Sequence, residues 1–336
     1  TQTGTADLLI ELGCEELHPK ALDRIRDALF NGVLAGLEKS NLAFSRENSR
    51  ALSTPRRLAM IVADVSGGQP DQSLERRGPA LRAAFDEEGK PTGAALGFAR
   101  SVGRNVNELE TMKNDKGEWL YCKVHQPGKP LEELIYPIIE QSIKQLPVPR
   151  PMRWADNEFS FVRPVHWLVV MHGTAVIPGT LFCLKAGRHT RGHRIHSPGP
   201  HNIDSSNRYE QILSDAFVIA NPEIRKNRIR DMATKANANV LIDPELLEEV
   251  KNLVEWPVAV ACRFEEEFLK VPHAALIASM QDHQKFFPVR EAPGSERVNN
   301  HFIAISNVDS TNFDEVREGY ERVIRPRLAD ARFFLE

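Results

Sequence analysis

Prolines at positions 147, 149 and 151 put three residues without an amide donor into five, and neither a helix nor an internal strand ladder runs through such a stretch. The 336 residues are long enough for two or three domains, and this cluster is the first candidate boundary between them. We expect an N-terminal α+β domain over 1–150, a β-rich basic segment over 151–203, a helical acidic segment over 204–256 and an α+β segment over 257–336.

Local patterns fill in these segments. Residues 7–12, Asp-Leu-Leu-Ile-Glu-Leu, read as a strand that Gly13 ends, and Pro19 then opens a helix. That helix carries Leu22, Ile25, Leu29, Val33 and Leu37 at spacings of three and four, one apolar stripe. Residues 57–65 and 119–124 have strand character, and Leu131, Leu134, Ile135, Ile138, Ile139 and Leu146 stripe a helix that Pro137 can kink. Residues 159–184 suggest hairpin-linked strands punctuated by Gly173 and Pro178-Gly179. Beyond 204 the pattern turns helical, with Ile224, Ile229 and Met232 in one helix and Leu246, Leu247, Val250 and Val254 in the next. Strands return at 258–263, 285–289 and 301–307, and 313–334 is helical. Strands and helices mix without strict alternation, so the class is α+β, with mixed sheets, packed helices and more than one domain.

Chemistry is announced mostly by what is missing. The chain has no GxxxxGK[ST] phosphate loop, no GxGxxG, no GxSxG elbow and no HExxH helix. We expect no catalytic residue, no resident metal and no cofactor in this chain. Cys14, Cys122, Cys183 and Cys262 lie far apart without a zinc spacing, which reads as reduced, mostly buried thiols. Asp282-His283 has no partner at a usable spacing. His189, His193, His196 and His201 are dense, but Gly187, Gly192, Pro198, Gly199 and Pro200 rule out the continuous helix that an i, i+4 metal pair needs. A His- and Arg-rich turn remains, open to phosphate contact or to loop hydrogen bonding. The longest apolar runs fall far below the roughly 18 residues of a membrane helix, and residues 1–7 carry no secretory pattern, so a cytoplasmic location is expected.

The formal net charge of -3 hides an asymmetry. Residues 150–194 hold seven Lys or Arg against two acids, whereas 243–267 hold two against eight. Arginines stand beside turn residues throughout: Arg56 and Arg57 after Thr54-Pro55, Arg76 and Arg77 before Gly78-Pro79, Arg153 before Trp154, and Arg163 before Pro164 and Trp167. Arg188, Arg191 and Arg194 flank Gly192-His193, and Arg325 and Arg327 flank Pro326. A guanidinium pairs two donors with phosphate or carboxylate oxygens, so each group suits either an RNA contact or an internal ion pair. Arg57 and Arg163, set among strand residues, are candidates for the second role, as is Arg56. Trp154 and Trp167 suit either base stacking or the core.

These segments together resemble one family closely, the beta subunit of the bacterial two-subunit glycyl-tRNA synthetase. The resemblance is carried by residues 10–17 (IELGCEEL), 54–59 (TPRRLA), 77–80 (RGPA), 115–119 (DKGEW), 152–154 (MRW), 161–166 (FVRPVH), 191–194 (RGHR), 253–257 (LVEWP) and 325–331 (RPRLADA). It implies an N-terminal portion, about half of a chain that continues into HD-like and anticodon-binding domains. It also implies a body and tail arrangement similar to the archaeal CCA-adding enzyme without that enzyme's catalytic domain. The expected partners are an alpha subunit, which carries the class II site for glycine, ATP and Mg, and the tRNA for glycine, in a heterotetramer of two alpha and two beta chains. The role this implies is to bind and position tRNA, with Arg56, Arg57, Arg76, Arg77, Arg153, Arg163, Arg188, Arg191, Arg194, Arg325 and Arg327 as the candidate contacts. Two other readings stay open: an assembly scaffold that holds alpha through the acidic helical segment, and a hydrolase or nucleotidyltransferase built on the histidines.

Overall fold

The structure, a computed structural model, describes residues 4–147, 152–153, 160–161 and 163–334, with backbone alone at 152–153 and 160–161. In chain order the elements are β1 (Ala6–Cys14), α1 (Pro19–Lys39), β2 (Ser45–Thr54), β3 (Arg57–Val65), β4 (Gln72–Ala80), α2 (Leu81–Ala84), α3 (Gly93–Ser101), β5 (Glu110–Asn114), β6 (Gly117–Gln126) and α4 (Leu131–Lys144). There follow β7 (Met152–Arg153), β8 (Ser160–Phe161), β9 (Val165–His172), β10 (Ala175–Val176), β11 (Thr180–Leu181), β12 (Leu184–Lys185), β13 (His189–Arg191), β14 (Pro200–Asn202), α5 (Tyr209–Asp215), α6 (Pro222–Ala236) and α7 (Pro244–Lys251). The chain closes with β15 (Val258–Arg263), α8 (His273–Ala278), β16 (Phe287–Arg290), β17 (Val298–Ser306) and α9 (Phe313–Phe333).

The first sheet has the order β10-β9-β1-β3-β2, all antiparallel, with β1 at its centre. Both faces of β1 are covered, which is why its sequence is nearly continuous in apolar residues instead of alternating. Leu8, Ile10 and Leu12 pack on Leu22, Ile25, Leu29 and Val33 of α1 and on Ile135 and Ile139 of α4. On the other face Leu9, Ile61, Trp167, Val169 and Met171 meet Tyr209 and Leu213 of α5. A Cβ on Gly36 would stand 2.5 Å from Ile138, so α1 and α4 approach closely only because that position is glycine.

Strand pairing crosses the proline cluster. β9 lies after it yet pairs with β1, Leu12 opposite Leu168 and Ile10 opposite Val170. The first sheet is therefore completed by strands from both sides of the cluster. The helices within 204–256 serve two sheets: α5 covers the first, whereas α6 and α7 cover a second, β15-β17-β16, with α8 and α9 on its opposite face. A third sheet, β4-β6-β5, with α2 and α3 forms an arm inserted between β3 and α4, whose elements pack chiefly on one another. Only β6 of that arm has a strand pattern legible in the sequence, because β4 is largely exposed and polar.

The helix expected around Ile224, Ile229 and Met232 is α6, and an arginine instead of Ile224 lies in its buried face. Ile224 is 54% exposed, and Arg225 beside it is fully buried. The guanidinium of Arg225 donates from Nε to the Lys251 carbonyl at 2.6 Å and from Nη1 to the Ser53 and Ile219 carbonyls at 2.8 and 2.6 Å. It thereby joins α6 to the end of α7 and to β2 of the first sheet. Burial lowers its pKa to about 10. Replacing Arg225 with Met should cost about 3 kcal/mol, because three buried carbonyls lose their donor, whereas Ile224→Asn should stay within about 0.5 kcal/mol. Urea midpoints of the two variants check this pair of expectations.

Candidate nucleic-acid interface above a buried ionic hub

The short motifs of the sequence converge at one end of the first sheet. Gly13 of β1 lies between Arg57 of β3 and Trp167 of β9, opposite both in register. A Cβ at Gly13 would stand 1.8 Å from the Trp167 indole, so that ring occupies the space a side chain would take. The indole Nε1 donates to Glu11 Oε1 at 2.6 Å. Thr190 of β13 donates to Glu11 Oε2 at 2.8 Å, and the Tyr209 hydroxyl of α5 donates to the same oxygen.

Arg57 completes the assembly. Its Nη2 lies 2.9 Å from Glu255 Oε2, its Nε donates to Glu255 and Thr54 at 3.2 and 3.1 Å, and its Nη1 donates to Thr190 at 3.2 Å. Nη1 also stands 3.5 Å from Glu11. Arg57 and Glu11 are fully buried and Glu255 is 2% exposed. Thr54 donates to Glu255 at 2.8 Å, and the Glu255 amide donates to Asn307 Oδ1 at 2.8 Å. Charges taken out of water persist only when paired and fully hydrogen-bonded, and this set is.

The electrostatics follow. Burial by itself would raise the Glu255 carboxyl, but Arg57 and Arg56 beside it outweigh that and hold it below the usual carboxylate range. Burial opposes the charge on Arg57, yet Glu255 and Glu11 raise its pKa further. Burial and Glu11 hold the Tyr209 phenol protonated. Burial pushes the nearby Cys14 thiol up to about 12, which makes it no nucleophile at neutral pH. Every polar group of the hub faces another protein group, so its work is to fix geometry.

What it fixes is a basic surface. The half-buried Arg56 follows from its neighbour Arg57, donates to the Gly192 carbonyl at 3.3 Å and reaches Glu255 at 3.4 Å. Arg56 and Arg191 lie 5.7 and 5.0 Å from the Trp167 ring centroid, cation over aromatic face. Arg194 is close enough to disfavour the charge on Arg56. The turn that carries Arg191 and Arg194 is pinned by His193, whose Nδ1 accepts from the amides of Ile195 and His196 at 3.1 Å each while Nε2 meets the Asn307 carbonyl at 2.6 Å. Burial lowers the pKa of His193, which keeps it neutral for this role. His196 accepts from the Asp309 amide and His201 pairs with Ser197, so these histidines serve loop hydrogen bonding. Among the described residues no group of three or more His, Cys, Asp or Glu is arranged to hold a metal ion.

The candidate contacts divide accordingly. Arg56, Arg191 and Arg194 come together over the hub. Arg57 is corrected to an internal ion pair, since its buried guanidinium has no access to a surface ligand. Arg163 is exposed just ahead of β9. Arg188 is a loop tie, donating to the Thr174 and Ile203 carbonyls at 2.9 and 3.4 Å. Arg76 and Arg77 sit on the arm, and Arg325 and Arg327 on α9, where Arg325 pairs with Glu265 at 2.6 Å. The side chain of Arg153, and Trp154 altogether, lie outside the described residues. Trp167 belongs to the core. The sequence reading passed over Glu11 and Glu255 as site residues, and also a ring series beside the turn. In that series His196 meets Phe217 at 5.0 Å, Phe217 meets Trp256 at 5.3 Å, and Arg228 covers Trp256 at 4.1 Å. Glu255 and Trp256 were flagged only as part of the 253–257 motif.

The site is thus an α+β scaffold that buries an ionic hub beneath the clustered Arg56, Arg191 and Arg194. Residues 8–336 match the model of the glycyl-tRNA synthetase beta subunit family, and the chain belongs to that family. It is 45% identical over 99% of its length to the glycine--tRNA ligase beta subunit of Marinobacter nauticus, covering 48% of that protein. The corresponding figures are 45%, 98% and 48% for the Chromohalobacter salexigens protein and 43%, 99% and 48% for that of Coxiella burnetii. The chain thus spans about half the length of the curated relatives it matches. Among its described residues no helix is long and apolar enough to cross a membrane.

Two outcomes test the hub. A carboxyl with a depressed pKa contributes stability that is present above its unfolded value, near 4.5, and lost as pH falls through the folded value. Glu255→Gln should therefore cost about 2–4 kcal/mol at pH 7 and flatten the acid limb below pH ~4.5, as read by denaturant unfolding across pH. Gly13→Ala should evict the Trp167 indole from Glu11, cost about 3 kcal/mol or more, and change the near-ultraviolet dichroism of the tryptophans.

Proposed function

We propose that this chain binds tRNA and positions its acceptor arm as part of the beta subunit of glycyl-tRNA synthetase. The observation that carries the reading is the convergence of Arg56, Arg191 and Arg194 on one surface over the hub, in a chain whose relatives are named glycine--tRNA ligase beta subunits. Phosphate contacts supply salt-dependent affinity and fix the register of the RNA, and base contacts add identity. Glycine offers almost no side chain to read, so choosing the tRNA rests on the RNA contacts. The alpha subunit supplies the class II site with ATP and Mg, and beta contributes proximity and orientation of the terminal adenosine hydroxyl. The heterotetramer of two alpha and two beta chains and the body and tail likeness to the CCA-adding enzyme belong to the same reading.

A second reading rests on a different surface. A groove of about 550 Å³ beside α7 is lined by Asp23, Asp243, Glu245, Glu248, Glu249 and Asp282 against Lys20 and Lys285, and would suit a basic face of the alpha subunit. Titrating the chain with a glycine-accepting tRNA and with an unrelated tRNA over a salt series separates the two. Salt-sensitive binding that Arg191→Glu with Arg194→Glu weakens at least about tenfold fits the platform. No binding at low salt, with alpha still captured until Glu245 and Glu249 are reversed, would leave the scaffold.

A further inference from the structure

The arm formed by β4, β5 and β6 brings together two motifs that the hub does not use, residues 77–80 of β4 and 115–119 at the tip of the β5–β6 hairpin. Between them lies an open groove of about 550 Å³ lined by Arg77, Arg82, Lys116, Glu118 and Trp119, with the backbone of Gly78 and Gly117. Arg77, Arg82 and Lys116 are exposed, and none of the three stands within ion-pair distance of a carboxylate among the described residues. The one lining acid, Glu118, stands 3.5 Å from Lys113. The Arg77 guanidinium lies 3.6 Å from the centroid of the buried Trp119 ring. A guanidinium held against an aromatic ring loses less entropy when an anion docks than a free one would.

The floor is rigid. A Cβ at Gly78 would meet Phe98 of α3 at 2.5 Å, so β4 and α3 are in close contact there. Gly117 has φ 134, which favours glycine at the hairpin tip, and nothing lies within 4 Å of where its side chain would be, so a ligand backbone can pass close.

We propose that this groove binds the phosphate backbone of RNA as a second contact, away from the surface over the hub; the proposal rests on the tRNA-binding reading and gives it a further site. Small-molecule pockets are enclosed and mostly apolar, unlike this one. Protein interfaces centre on apolar or aromatic anchors, and the single aromatic ring lining this groove is already covered by Arg77. A backbone of successive phosphates needs only spaced cations, and three stand free of carboxylates here.

The test compares the chain with a variant carrying Arg77→Ala, Arg82→Ala and Lys116→Ala, and with Arg77→Lys, in titrations against a glycine-accepting tRNA transcript over a salt series. The slope of log affinity against log salt should become shallower by about 2–3 in the triple variant, with at least about tenfold weaker binding at moderate salt. Arg77→Lys keeps the charge and loses the planar fork, and should fall between the two. Unchanged urea midpoints verify the fold, because all three side chains are exposed. If the parent chain binds tRNA and the triple variant matches it in affinity and slope, the groove is not an RNA site and the platform reading stands. If the triple variant keeps its RNA binding but no longer captures the alpha subunit, the groove belongs to a protein contact and the proposal is overturned. If the parent itself binds no tRNA, both readings fall.

Discussion

Arg57 and Glu255 stand 198 residues apart in the chain and share a hydrogen bond in the buried interior. Removing either partner would strand a buried charge, at a cost of the order of a third or more of a typical domain's stability. That single pair obliges β3 of the first sheet to meet the segment that follows α7 and leads into the second sheet. Glu11, Thr54, Thr190 and Tyr209 then have one place each, because every remaining lone pair and donor of the pair must be filled. Lys251 repeats the device nearby, buried and paired with Asp23 of α1 at 2.8 Å. The two sheets are held in one arrangement by charge and hydrogen bonding as well as by apolar contact.

The consequence for function is geometric. Loops that carry arginines are mobile unless something anchors them, and a mobile guanidinium loses entropy on every contact it makes. Here the anchors lie underneath: Gly192 accepts from Arg56, His193 caps its own turn, and Trp167 offers its ring to Arg191. The result is that Arg56 and Arg191 are held in fixed positions over the buried hub. The arm places further exposed cations, Arg77, Arg82 and Lys116, on a different support.

Much of the secondary structure was legible locally. β3 begins at Arg57 and β15 spans 258–263, as their apolar patterns indicate, and α1 and α9 start where Pro19 and Phe313 mark them. Sequence pattern failed where burial was not apolar or pairing not local. Ile224 looks like core and is exposed, because Arg225 satisfies three carbonyls that no isoleucine could. β4 was invisible because its side chains face water. The proline cluster looks like a domain border, yet the chain returns beyond it to the same sheet, since the open edge of β1 needs a partner and β9 is apolar on both faces.

By itself the sequence determined the α+β class, the main helices and strands, the family and the absence of a phosphate loop or metal helix, because each of these is written in residues a few positions apart. Only the tertiary structure decided which arginines are internal and which face outward. Arg56 and Arg57 are adjacent and chemically identical, yet one is half-buried at the edge of the basic surface and the other is sealed between Glu11 and Glu255. The free energy of a buried charge depends on partners 46 and 198 residues away, and no local pattern encodes a distance that only folding brings about.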